Sequence, residues 1–452
     1  MAGLMRMDEA GSGTGRRYRV GGLLWHRDFR LLWFGETISQ VGNAMAVVAV
    51  PLLAVTVLHA STFMVSALVA AAWLPWLLIG LPAGAWVDRL PCRAVMVTCD
   101  ATSTALYASV PAAAWLGVLT IAQLLAVALL GGAASVFFNT AQQAYLPSLV
   151  AGEQLVEGNA KLAGSTSAAR LGGPGLAGLV AQALSVVTAL LFNAASFLVS
   201  AACLLGIRHR VPRPEAHGRV TTLRADVAAG IRLVARDPYM RPMGVFGAVG
   251  NLALTGNQAL AVVFLVRVVG LGPFAVGLLL AVPGAAGVVA ALTSRRVTAR
   301  FGTARGLLFS ALVLMPFGLL IPLTERGPGL AFYIAGIFLA ASTATASIII
   351  NSFRQAYSPP HMRGRAAATM AVLLAGTSPL GALLGGALGT AIGVRDALWV
   401  IFAVAAASGT VMLTREITTR RNLPTAVLPE HAETAARYAP QVQRAPSAPQ
   451  PS

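Results

Sequence analysis

Long apolar runs alternate with short polar turns along nearly the whole chain. Runs long enough to cross about 30 Å of hydrocarbon fall at about 31–58, 62–87, 94–116, 118–145, 160–183 and 186–207. Six more follow at about 241–268, 272–294, 306–324, 330–353, 366–392 and 396–414. The third and fifth runs are interrupted by polar residues and are the weakest of the set. An even count puts both termini on one side of the membrane.

A repeat divides the runs into two sets of six. Asn139 to Pro147 reads NTAQQAYLP, and Asn351 to Pro359, 212 residues later, reads NSFRQAYSP. Val41-Gly42-Asn43 returns as Val249-Gly250-Asn251, and Phe63-x-Val65 as Phe274-x-Val276, at offsets of 208 and 211. Near-constant offsets predict an all-α membrane protein of twelve transmembrane helices, built as two tandem six-helix halves. The expected organisation is a tail over 1–28, a bundle over 29–207, a linker over 208–240, a bundle over 241–414 and a tail over 415–452. In the linker Leu223, Val227, Ile231 and Val234 share one helical face, opposite Arg224, Asp226, Arg232 and Arg236. That pattern predicts an amphipathic helix at the lipid boundary, with a plain solvated linker helix as the alternative. The proline-rich tail predicts disorder.

Composition agrees with a lipid environment. Hydrophobic residues make up 56% of the 452 and charged residues 11%, against roughly 25% charge in a soluble domain. The net charge of +17 would suit nucleic acid, but its placement argues otherwise. Arginines crowd the N-terminal tail, the 208–240 segment, the C-terminal tail and alternate turns, among them Arg89, Arg93, Arg295, Arg296, Arg300 and Arg305. Only Arg267, Arg326 and Arg395 fall on the other side. By the positive-inside rule the crowded side is cytoplasmic, so the charge sets orientation and no nucleic-acid partner is expected. The first 22 residues contain no apolar core of signal-peptide length. Cys92, Cys99 and Cys203 show no metal spacing and read as packing residues; no metal site and no cofactor is expected. Phosphate loops, zinc-protease motifs and nucleophile elbows are absent. Without a nucleotide site, any work must draw on an ion or solute gradient.

The turn after the second run, Gly80 to Arg93, reads GLPAGAWVDRLPCR. It resembles the signature loop of the major facilitator superfamily at Gly84, Asp88, Arg89 and Arg93. His26 to Trp33 (HRDFRLLW), then Gly42 and Pro51, Phe137-Phe138 before Pro147, and Ala169 to Gly178 (ARLGGPGLAG) resemble an exporter branch. That branch includes macrolide-efflux and siderophore-export (transmembrane secretion effector) proteins. The resemblance covers about residues 27–414. It implies a bacterial cytoplasmic membrane protein in which Asp88 meets the N-terminus of the eleventh helix and latches the cytoplasmic gate. A glycine permits that approach, and a carboxylate is favoured at a helix N-terminus. It further implies that helices two with eleven, and five with eight, are the seams between halves. Gly173, Pro174 and Gly178 resemble the antiporter motif of the fifth helix, with Ala169 in place of its preceding glycine. Gly381, Gly385 and Gly389, like Gly80 and Gly84, have the four-residue spacing of close helix packing, and generic packing is the competing explanation. Two departures stand out. Ser294 occupies the place of Asp88 in the second half, and the RxxQG motif of many proton-coupled drug antiporters is missing from the fourth helix.

Charge within the membrane costs about 2.5–3.5 kcal/mol per group on insertion scales, so Glu36, Asp100 and Arg170 are informative. Glu36, Gln40 and Asn43 form one polar stripe, and Asn251, Thr255 and Gln258 form a similar one on the seventh run. In the resembling fold both helices border a central cavity. Glu36 is therefore the first candidate proton carrier, with Asp100, on the third helix, which is peripheral in that fold, as the second; Gln40, Asn43, Arg170, Asn251, Thr255 and Gln258 are the candidate substrate contacts. Glu36 has an interfacial alternative, Asp100 a structural tie to the Asp88 turn, and Arg170 either an acid partner or a bound anionic group. The expected function is a monomeric secondary exporter that moves a lipophilic or amphiphilic small molecule outward in exchange for protons. A facilitator or importer of a polar metabolite is the alternative. A receptor or scaffold would need a larger extramembrane domain, and an enzyme a nucleophile and base at usable spacing.

Overall fold

The computed structural model describes residues 22–150, 152–209, 235, 237–341, 343–358 and 363–424. The predicted amphipathic face over 223–234 lies outside them, as do most of the N-terminal tail and the C-terminal tail beyond 424. The described residues are helical and contain no strand.

Six helices form the first group: α1 (Arg27–Thr56), α2 (Thr62–Val87), α3 (Cys92–Trp115), α4 (Ile121–Leu149), α5 (Leu155–Ala183) and α6 (Val186–Gly206). In the second group α7 (Met240–Val263) runs into a π turn, Phe264–Val268, and α8 spans Pro273–Phe301. α9 starts at Thr303–Phe309 and continues through a π turn (Ser310–Leu314) into a 3-10 helix (Met315–Leu323). α10 comes in two pieces, Leu330–Ala341 and Ala344–Tyr357, followed by α11 (Arg363–Ala391) and α12 (Val394–Ser408). A short α13 (Arg415–Thr418) follows. Among the described residues ten helical spans are long and apolar enough to cross a membrane. The long helices outside that set are α3 and α5, the two whose sequences are interrupted by polar residues. Ser61, Thr120 and Ser185 begin α2, α4 and α6 by accepting the amide hydrogens of Met64, Gln123 and Thr188. Each satisfies a backbone donor that has no partner in the first helical turn.

α1 packs on α5 and α6, α2 on α4, and α3 on α4 and α6; in the second group α7 packs on α11 and α12. The groups meet along α2 with α11 and α5 with α8. Near the chain termini each group closes around the tyrosine of the repeat. Tyr145 is buried with Leu23, Phe29 and Ile207, and Tyr357 with Tyr239 and Phe353, the Phe353 and Tyr357 rings 4.7 Å apart.

The seams are shut at the end away from the termini. There a side chain on Gly178 would lie 2.6 Å from the Pro273 carbonyl oxygen. Gly386 meets Ser66 and Gly389 meets Thr62, while Ala70 and Ala382 share a buried cluster. Toward the termini Gly80, Gly84, Gly164 and Gly287 have no neighbour within 4 Å.

Two expectations need correction. Gly381 and Gly385 pack most closely on α7, against Thr255 and Gly256, whereas Gly389 lies against both Leu260 of α7 and Thr62 of α2. Helix rotation explains it, because a four-residue ridge drifts around the axis and changes partner along its length. Residues 415–424 are also ordered, although the sequence places them in a disordered tail. Ile417 and Leu423 are buried, and Leu423 N–H donates to Thr303 Oγ1 at 2.8 Å. Thr303 N–H in turn donates to Asn422 Oδ1 at 3.1 Å. The segment completes the core beside Tyr357.

Candidate functional site

A cavity of about 660 Å³ lies within the first group. All six of its helices contribute to the wall, and the second group contributes Gln258. Glu36 is 3% exposed. Gln40, one turn along α1, donates Nε2–H to Glu36 Oε1 at 2.7 Å, while Oε2 has no hydrogen-bond partner. Glu36 is thus buried in the cavity wall. Asp100 is 1% exposed and has an unpartnered oxygen of its own, Oδ2. It lies beside Ser200 of α6 and lines the cavity, so its tie is to the cavity wall and not to the Asp88 turn. A side chain on Gly35 would fall 3.2 Å from Ser200 Cα. Glu36 and Asp100 therefore converge on the same level of α6.

Arg170 lines the cavity from α5. Among the described residues no carboxylate lies within salt-bridge distance of it, and no cation within that distance of Glu36 or Asp100. The acid-partner alternative for Arg170 is not realised. Asn43 lines the cavity beside Gln40. Asn251 and Thr255 do not. Asn251 Nδ2–H donates to Leu374 O, Thr377 Oγ1 and Ser378 Oγ of α11 at 2.9–3.0 Å, and Thr255 is buried, donating to Asn251 O. α7 turns its polar stripe toward α11, and Gln258 alone of that stripe reaches the cavity.

The wall includes residues beyond the candidate substrate contacts. Trp73, Trp76, Tyr107, Phe138 and Phe197 supply aromatic faces, and Asn139 and Gln142 add polar groups. Gln142 faces the Glu36 carboxyl. Asn139 and Gln142 belong to the repeated NTAQQAYLP, so the repeat itself was the available signal. Cys99 lines the cavity as well, where the sequence suggested packing alone; Cys203, against Gly35, does pack.

Asp88 ends α2 with its backbone N–H on Gly84 O, and its side chain is exposed. Among the described residues nothing lies within 4 Å of a side chain placed on Gly84. Arg89 is exposed, while Arg93 donates to Leu204 O and Leu205 O at 2.8 and 2.7 Å, tying α3 to α6. Ser294 hydrogen-bonds within its own helix, to Ala291 O, and caps nothing. Gly173 packs on Ala44 of α1, and Gly178 with Pro174 on α8. The three arginines opposite the termini bind backbone carbonyls. Arg267 reaches Ala60 O at 2.6 Å across the two groups, Arg326 reaches Val269 O, and Arg395 reaches Thr324 O.

A cavity lined mainly by the first helical group and carrying unpaired charge fits a solute carrier. The family model for transmembrane secretion effectors matches residues 23–439. The chain belongs to that family of major facilitator superfamily transporters. Multidrug efflux pump Tap of Mycobacterium tuberculosis (strain ATCC 25618 / H37Rv) is 28% identical over 379 residues, covering 81% of this chain and 88% of that one. An uncharacterized transporter of the superfamily from Bacillus subtilis (strain 168), YvqJ, is 22% identical, covering 72% and 76%. Among solved structures, nucleoside transporter NupG superposes with a TM-score of 0.69 at 12% identity, covering 85% and 98%. A bacterial homologue of the iron transporter ferroportin, in an inward-facing state, gives 0.67 at 17% identity, covering 86% and 98%. At such identities the structural matches establish the fold alone. The transporter is thus a non-enzymatic, multi-pass membrane protein with efflux pumps among its relatives.

Proposed function

We propose that this transporter is a proton-coupled exporter of a lipophilic or amphiphilic small molecule. In this reading twelve helices cross the bacterial cytoplasmic membrane as two six-helix halves, with both termini cytoplasmic. The halves rock by alternating access, and the present conformation is open to the cytoplasm. The observation that carries the reading is Glu36, a buried carboxylate in the cavity wall with no cationic partner. An antiporter needs such a group, exposed to each side in turn and able to exchange its proton for cargo. The aromatic wall suits an apolar body, and kinship to a multidrug efflux pump supports the outward direction. The driving force is adequate: one charge moved through 100 mV gains about 2.3 kcal/mol, or about a 50-fold solute gradient.

Glu36→Gln keeps size and hydrogen bonding while removing titration. We expect normal insertion and retained binding, loss of uphill efflux, and surviving downhill exchange. Uptake into inverted vesicles with an imposed pH gradient is the test. A variant that concentrates cargo as the parent does removes Glu36 as proton carrier; if Asp100→Asn behaves likewise, facilitated diffusion replaces antiport.

A further inference from the structure

Three charged groups line one cavity, and export as proposed uses only one of them. Asp100 and Arg170 are left over. Each is isolated from an opposite charge among the described residues, and an unpaired charge in a transmembrane helix is costly enough to demand a use. Their relative height follows from two contacts between α1 and α5, which run in the same direction. Thr37 Oγ1–H donates to Ser165 Oγ at 2.9 Å, and Gly173 packs on Ala44. Arg170, between those α5 positions, therefore lies level with residues 41–42 of α1. Asp100 shares the level of Gly35 and Glu36 through Ser200. At a rise of 1.5 Å per residue the guanidinium's helix position is about 8 Å deeper than the acids. The cavity thus takes its acids from one level of the helices and its guanidinium from another. Aromatic side chains, including Trp73 and Trp76, share its wall.

We infer that the cargo is a zwitterionic amphiphile, its cationic group held by Asp100 and its anionic group by Arg170, with its apolar body against the aromatic wall. This rests on the export reading of the same cavity, and it leaves Glu36 for the proton. Asp100 has its unpartnered Oδ2 to offer, and a guanidinium takes a carboxylate or phosphate through two parallel hydrogen bonds. A purely cationic cargo would be repelled by Arg170, and a purely anionic one by Asp100 and Glu36.

The test is equilibrium binding to the full chain in nanodiscs, with no gradient, read by energy transfer from tryptophan to three naphthyl probes. The first carries a dimethylammonium and a carboxylate on a five-carbon arm. The second is its methyl ester, a cation, and the third a neutral amide bearing the carboxylate, an anion. We expect the zwitterion to bind at least tenfold more tightly than either of the others. Arg170→Gln should remove that advantage over the ester, with Arg170→Lys restoring part of it. Asp100→Asn should weaken zwitterion and ester together. An ester that binds the parent as tightly as the zwitterion overturns the inference, as does an Arg170→Gln variant, monodisperse on gel filtration, that keeps the tenfold advantage. Because no proton gradient enters the measurement, failure of proton coupling leaves this result intact, and the reverse holds as well.

Discussion

Val-Gly-Asn occurs once in each half, and the two copies have different fates. Asn43 lines the cavity, whereas Asn251 is consumed by three hydrogen bonds to α11. The contrast extends to the charges. At the Val-Gly-Asn offset of 208 Glu36 corresponds to Gly244, and offsets of 208–212 carry Asp100 to the stretch Leu308–Leu312, which holds no acid, so neither acid is repeated. The helices differ too. α1 to α6 are continuous, while α7 and α9 contain π turns and α10 is in two pieces. Such turns break the regular hydrogen-bond ladder and are frequent at functional sites. The two helical groups share a packing pattern but not a chemistry: the first holds the polar cavity, and the second holds the irregular helices.

The largest effect should come from forcing the halves apart. Gly277→Leu would drive a side chain into Pro174 and Gly178, whose contacting atoms are backbone and cannot swing away. We expect at least a tenfold loss of transport with the protein still in the membrane, measured in whole-cell efflux. Normal efflux would mean that the α5–α8 contact is dispensable.

The two asparagines sharpen the comparison directly. Asn251→Ala should cost about 1–3 kcal/mol through the lost hydrogen bonds and the acceptors left unpaired, seen as a lower thermal midpoint with cargo affinity little changed. Asn43→Ala should do the opposite, shifting affinity several-fold at near-constant stability. Equal behaviour of the two variants would erase the functional asymmetry.

A smaller effect is expected at the proposed latch, where the first half has Asp88 and the second Ser294. Asp88→Asn should raise cysteine labelling at the cytoplasmic ends of α2 and α11 by a few-fold, because the cytoplasm-closed state loses a contact. Unchanged labelling with unchanged transport would reduce the turn to an orientation signal. Gly84→Ala should do least to the present conformation. With open space around it, thermal stability should stay within about 0.5 kcal/mol, and any effect should appear only in transport rate.

The sequence by itself determined the helical spans. Each helix satisfies its backbone internally, and in lipid that requirement holds whatever its neighbours are. Glu36 and Arg170 were legible for a related reason, since a charge within an apolar run stands out in one dimension. Tandem repetition was legible as well, because offsets are counted along the chain. Tertiary structure alone decided where polar groups point. Asn43 and Asn251 occupy equivalent stripes, and only helix rotation sends one to the cavity and the other to α11. Gly381, Gly385 and Gly389 have one spacing but two sets of partners, which depend on crossing geometry. Asp100 lies on α3, outside the helices expected to border a cavity, yet the cavity penetrates the first group and reaches it. Its closeness to Glu36 comes from the meeting of α1, α3 and α6 at Ser200, a contact among residues separated by up to 164 positions. No local pattern encodes such a meeting, because it exists only once the helices are packed.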